Sequence, residues 1–176
     1  MYDSLNVRGK IQMIEIIDDT LEHHNAELID GVYKALKQNE IIGNKKIKIV
    51  LDPVMVAKGG HRLLKEDAVN SLKNFIKNTN PVLTPNIPEA EILTGMKINN
   101  LADMKTAGEK IIDLGANFVV LKGGHMNKPI MSDILIGEEV LDQIETKKIE
   151  TNNTHGTGCT MASALTAGLA KSLSIK

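Results

Sequence analysis

Lys45-Lys46-Ile47-Lys48-Ile49-Val50-Leu51-Asp52-Pro53 reads as a strand with an abrupt end. Ile47, Ile49 and Leu51 alternate with Lys46, Lys48 and Val50, and the Asp-Pro pair closes the run. On its N-terminal side, Leu28, Ile29, Val32, Ala35 and Leu36 recur at helical spacing over 26–39. On its C-terminal side, Ala68, Val69, Leu72, Phe75 and Ile76 line one face of a helix over 65–78, and Val82-Leu83-Thr84 is a second short strand before Pro85. A crossover of that length joins parallel strands, and a parallel sheet needs helices on both faces. The expected class is therefore α/β, a mostly parallel sheet flanked by helices on both faces.

The pattern continues outward. Pro88 is placed to open a short helix through Leu93, stopped by Gly95. Asn100, with Asp103 three residues on, caps a helix that buries Ile111, Ile112 and Leu114 and ends at Gly115. Asn117 to Leu121 is the next strand, followed by Lys122-Gly123-Gly124-His125. Strands near 132–136 and 139–149 meet at Gly137-Glu138 as an antiparallel pair, and a helix of small residues over about 158–172 ends the chain. Residues 1–25 are atypical: Ile11, Met13, Ile14, Ile16 and Ile17 crowd together without a lasting period, and His23-His24 reads as a solvated pair. With no linker or repeat, 1–176 is read as a single domain.

Composition narrows the function. Among 176 residues, 21 are basic and 22 acidic, a net charge of −1. That balance gives nucleic acid or an anionic membrane no electrostatic hold. No apolar run reaches membrane-spanning length, and Met1-Tyr2-Asp3-Ser4 carries no signal-peptide pattern. The single cysteine, Cys159, precludes an internal disulfide framework and fits a reducing cytoplasm.

Chemistry concentrates at four places. Asn153-Thr154-His155-Gly156-Thr157-Gly158-Cys159-Thr160 is a Gly-rich turn opening a helix, where backbone N–H groups and the positive dipole end suit an anion. A plain glycine turn before a helix is the alternative. Cys159 falls in the first helical turn, where the dipole favours thiolate; a small buried hydrophobe is the alternative there. Asp52 ends a strand, where open α/β sheets bind ligands, and serves either a metal or hydroxyl, or the turn alone. In Thr84-Pro85-Asn86-Ile87-Pro88-Glu89, two prolines hold Asn86 and Glu89 in fixed relation, as Mg²⁺ ligands or as a helix cap. Lys122 also follows a strand and meets phosphate as a point charge, or is plain surface. All of these fall at one end of the expected sheet, and together they are the parts of metal-assisted phosphoryl transfer.

Four motifs in order then carry a resemblance. Leu51-Asp52-Pro53-Val54-Met55-Val56-Ala57-Lys58, Leu83-Thr84-Pro85-Asn86-Ile87-Pro88-Glu89-Ala90-Glu91, Val120-Leu121-Lys122-Gly123-Gly124-His125 and the 153–160 segment together resemble the hydroxymethylpyrimidine/phosphomethylpyrimidine kinases. These are the thiamine-pathway branch of the ribokinase-like kinases, and the likeness runs from about Ala26 to Ser172. It implies a ribokinase-like fold and ATP- and Mg²⁺-dependent phosphorylation of a hydroxymethylpyrimidine and its monophosphate. Position by position it implies an anion hole at Gly156, Thr157 and Gly158, and Cys159 as proton acceptor. Asp52 and Glu89 then belong to the metal, Lys122, Asn86 and Thr154 to the nucleotide, and Val54 to the pyrimidine pocket.

The family's N-terminal strands and a glutamine that reads the pyrimidine have no counterpart here. Its Gly-Met-Leu element has only a trace, Lys10-Ile11-Gln12-Met13-Ile14, which makes Met13 the matching substrate contact. The expectation is a shortened kinase with ATP binding kept and pyrimidine turnover lower by on the order of 10²-fold or more, since misplacement by about 1 Å costs that much. Ile11 to Ile17 would cover the bared sheet, or a second copy would, giving a homo-oligomer. A non-catalytic remnant and a pyridoxal-type kinase are the rival readings.

Overall fold

Alternation within each short strand sorts the side chains of one sheet onto two faces. The computed structural model describes residues 11–15 (backbone only), 26–56, 64–124, 130–149 and 156–175. In chain order the elements are β1 (Ile11–Glu15), α1 (Ala26–Gln38), β2 (Lys48–Asp52), α2 (Glu66–Thr79), β3 (Val82–Leu83), α3 (Ile87–Thr94), α4 (Leu101–Asp113), β4 (Phe118–Leu121), β5 (Ile130–Gly137), β6 (Val140–Lys147) and α5 (Thr157–Ala170). The strands form one sheet in the order β1-β2-β3-β4-β5-β6. β1 to β4 run parallel, and β5 and β6 are antiparallel additions.

Every parallel crossover steps the same way along the sheet, so a shared hand puts its helices on one face. Ile49 and Leu51 of β2, Leu83 of β3, Val119 and Leu121 of β4 and Ile134 and Ile136 of β5 form that face's core. Against it pack Ile29 and Leu36 of α1, Leu72 and Phe75 of α2, Leu93 of α3 and Met104 and Ile111 of α4. Phe75 is fully buried, with Tyr33 edge-on to its ring at 6.3 Å between centroids. Truncating a side chain such as Leu72 costs about 2–5 kcal/mol in such a core. Among the described side chains the opposite face is thinner: Val50 and Val82 pack on Leu169 of α5, with Phe118 and Leu165 at the margin. Helices therefore cover both faces, as expected, but unequally.

Helix ends follow their residues. Asn100 accepts from Asp103 N–H at 2.9 Å and starts α4. α3 ends on Gly95 in the left-handed conformation, φ 71°. One element departs from the sequence reading. Ile11–Glu15 is not a loose cover but a strand, paired parallel with β2 so that Met13 lies opposite Val50 and Glu15 opposite Asp52. Five residues are too few to establish a period against the isoleucines that flank them.

Candidate functional site

The carboxyl ends of β2, β3 and β4 fall at one edge because the strands are parallel and in register, Leu51 beside Leu83 and Leu83 beside Val119. Each strand leaves a polar residue there: Asp52, Thr84 and Lys122. Asp52 is 3% exposed. Its Oδ1 accepts from Thr84 Oγ1 at 2.8 Å and from Lys122 Nζ at 3.1 Å. Thr84 is itself fully buried, and its N–H donates to Leu51 O at 3.1 Å. Thr84 is a site residue that no local pattern marks, since its partner lies 32 positions away.

β3 runs directly into α3. Asn86 caps this helix, its Oδ1 accepting from Glu89 N–H at 3.0 Å while Glu89 Oε2 accepts from Asn86 N–H at 2.7 Å. This is the expected fixed relation of Asn86 and Glu89, built as a reciprocal capping box. Glu89 is 3% exposed. Burial pushes its carboxyl up to about 7; the N–H groups of Asn86 and Met55 and the Lys122 charge hold it down, while the Asp52 charge pushes it further up. Glu89 thus lies within electrostatic reach of both Asp52 and Lys122.

α5 starts at the same edge. Gly156 forms its N-cap at φ 77°, a left-handed conformation that favours glycine, with no side-chain cap and no acidic residue in the first turn. A methyl group built on Gly158 would lie 3.3 Å from Lys122 Nζ and 3.5 Å from Asp52 Oδ2. The glycine therefore lets the helix start close on the ion pair. The backbone N–H groups of Thr157, Gly158 and Cys159 belong to the first turn, the positive end of the dipole, and Cys159 is half-buried there.

The structure thus brings together Asp52, Lys122, Glu89, Asn86 and the 156–159 turn. Val54 follows Asp52 by two residues and walls a small apolar hollow with Ile29, Leu51, Pro53, Leu64 and Leu72, room for about one water. Met13 is placed by its backbone in β1, two residues before the end that meets Asp52. Thr154 lies outside the described residues. Two buried carboxylates, one of them with its ionisation opposed by burial, suit a hard divalent cation whose other ligands are water and phosphate. Among the described residues no group of three His, Cys, Asp or Glu side chains converges to hold a metal without such help. No helix among them is long and apolar enough to cross a membrane.

A family model described as phosphomethylpyrimidine kinase matches residues 12–176. Hydroxymethylpyrimidine/phosphomethylpyrimidine kinase of Bacillus subtilis (strain 168) is 44% identical over 152 residues, 86% of this chain and 54% of that protein. The crystal structure of phosphomethylpyrimidine kinase from Clostridium difficile 630 superposes with a TM-score of 0.73 at 35% identity, covering 93% of this chain and 61% of that one. An ADP complex of Bacillus subtilis pyridoxal kinase superposes with a TM-score of 0.74 at 34% identity, covering 86% of this chain and 55% of that one. The ribokinase-like α/β fold is common to all of them. The chain spans about half the length of the Bacillus relative it matches.

Proposed function

This chain belongs to the phosphomethylpyrimidine kinase family, and from that premise we propose that its sheet edge is the phosphate-handling half of an ATP-dependent kinase for a hydroxymethylpyrimidine and its monophosphate, in thiamine biosynthesis. One observation carries the reading: the Lys122–Asp52 pair lies against the glycine-opened start of α5, so close that a Cβ at Gly158 would come within 3.3 Å of Lys122 Nζ. In this reading Lys122 faces the nucleotide phosphates, and the amides of Thr157, Gly158 and Cys159 hold the transferred phosphoryl group. Cys159 takes the proton from the acceptor hydroxyl, its thiolate favoured by the dipole. Asp52 and Glu89 are the groups that would hold Mg²⁺, which when bound neutralises charge on the phosphates. Asn86 fixes Glu89, and Val54 and Met13 border the acceptor. A small-molecule substrate, a cytoplasmic location and a homo-oligomer complete the reading.

Pyridoxal is kept as a second acceptor because of the likeness to pyridoxal kinase. The test is an ADP-release assay with each acceptor, beside ATP titrations with and without Mg²⁺. Asp52→Ala and Glu89→Ala should each weaken ATP binding more in Mg²⁺ than without it. Equal losses in both conditions would make the two acids purely structural. ADP release with pyridoxal alone would transfer the reading to that acceptor.

A further inference from the structure

The Lys122 ammonium is held from behind, through the backbone of its own turn. Lys122 N–H donates to Pro85 O at 2.8 Å. The next amide, that of buried Gly123, donates to Asp133 Oδ1 at 2.8 Å. Paired register between β4 and β5 stops two residues before Gly123, at Leu121 opposite Ile134. Beyond that point a side-chain carboxylate replaces the carbonyl that a continuing ladder would offer. The approach is close: a Cβ on Gly123 would collide with the Ser132 carbonyl oxygen.

We propose that Asp133 is a positioning residue. By accepting the Gly123 N–H it fixes the turn after β4, and so aims the Lys122 ammonium at Asp52 and the start of α5. A carboxylate acceptor makes this a charge-assisted bond, stronger than the neutral bond of a ladder. Removing it leaves a buried amide with no acceptor, and the turn relaxes toward water to satisfy it. Lys122 moves with that turn, since the two residues share a peptide bond. Asp133 therefore acts on the site through main chain alone.

The experiment compares wild type, Asp133→Ala and Asp133→Asn by two measurements. The first is acylation of Lys122 by a succinimidyl acetate, mapped by mass spectrometry against exposed Lys37. Asp133→Ala should raise the Lys122 rate about tenfold, because a side chain released from the part-buried ion pair is open to the reagent, and Asp133→Asn, which keeps the acceptor, should stay within about threefold of wild type. The second is ATP affinity, and only this arm rests on the phosphate role proposed for Lys122. Asp133→Ala should weaken ATP about tenfold, yet cost less than about twofold when added to Lys122→Ala, because both changes remove one interaction. An unchanged Lys122 rate in folded Asp133→Ala, or fully additive ATP losses, overturns the proposal. If wild type binds no ATP, the nucleotide reading fails while the acylation ratio still decides on Asp133. Should Asp133→Ala not fold, Asp133→Glu shifts the acceptor by one methylene, and a rate equal to wild type there also overturns it.

Discussion

α3 and α5 begin at the same edge of the sheet and close their first turns in opposite ways. α3 is sealed by its own sequence, Asn86 and Glu89 exchanging hydrogen bonds at 3.0 and 2.7 Å. α5 opens on Gly156, with no side-chain cap and no acid in its first turn. A helix start that satisfies itself can fix a carboxylate in place, here Glu89, buried and facing Asp52. A helix start with no acid in its first turn leaves the positive dipole end uncompensated by any charge of its own turn. Side by side, the two starts form a site of mixed sign, with Lys122 between them.

The largest effect that sharpens this contrast is expected at Cys159. If its thiol accepts the acceptor proton, Cys159→Ala lowers kcat by about 10²–10⁴-fold and leaves ATP affinity nearly intact. Steady-state kinetics of the variant decide it, and a near-normal kcat removes the thiol from the chemistry.

Next is the sealed helix. Burial pushes the Glu89 carboxyl up from 4.5 to about 7, so between those pH values it is mostly protonated in the fold while the unfolded chain ionises. Its contribution is neutral below 4.5, erodes stability as pH rises toward 7 and levels off above, a total of about 3 kcal/mol. Glu89→Gln keeps the cap acceptor and should flatten that slope in urea melts at pH 5 and 8. Millimolar Mg²⁺ should recover stability at pH 8 in wild type and less so in the variant. Parallel pH profiles for the two proteins would show that burial of Glu89 carries no such cost.

Smaller still is an attempt to make α5 resemble α3. Thr157→Glu places a carboxylate at the open dipole end. It should weaken ATP by about tenfold or more while adding about 0.3–1 kcal/mol to stability. Gains in both would mean that the start of α5 does not receive the phosphates. The smallest change undoes the sealed start: Asn86→Ala should cost about 1 kcal/mol in a thermal melt, the usual worth of a cap. A loss several times that would assign Asn86 a wider role than capping.

Legibility in the sequence tracked how local each signal is. Asn100 with Asp103, Asn86 with Glu89 and the glycine stops each lie within a turn of the element they bound, and those helices were readable to within a residue or two. The strand ends at Asp52 and Lys122 were readable because alternation breaks there. Parallel topology implies that they meet, and Lys122 Nζ lies 3.1 Å from Asp52 Oδ1. Thr84 on Asp52 and Asp133 on Gly123 were not readable, since each bond joins segments that only the folded sheet brings together. β1 escaped for another reason: a parallel edge strand takes its identity from its neighbour, and Ile11–Glu15 carries no pattern of its own.

The unequal cover of the sheet has a consequence for motion. Among the described side chains α5 rests on Val50 and Val82 through Leu169, whereas the four helices of the other face share one continuous core. Cooperative opening draws on the least-packed unit first, so α5 is expected to open ahead of the helices on the other face. Its amides should exchange with deuterium well before those of α4. A nucleotide held at its first turn would slow that exchange in proportion to occupancy. The helix that receives the ligand would then also report it, as a latch whose closure can be timed.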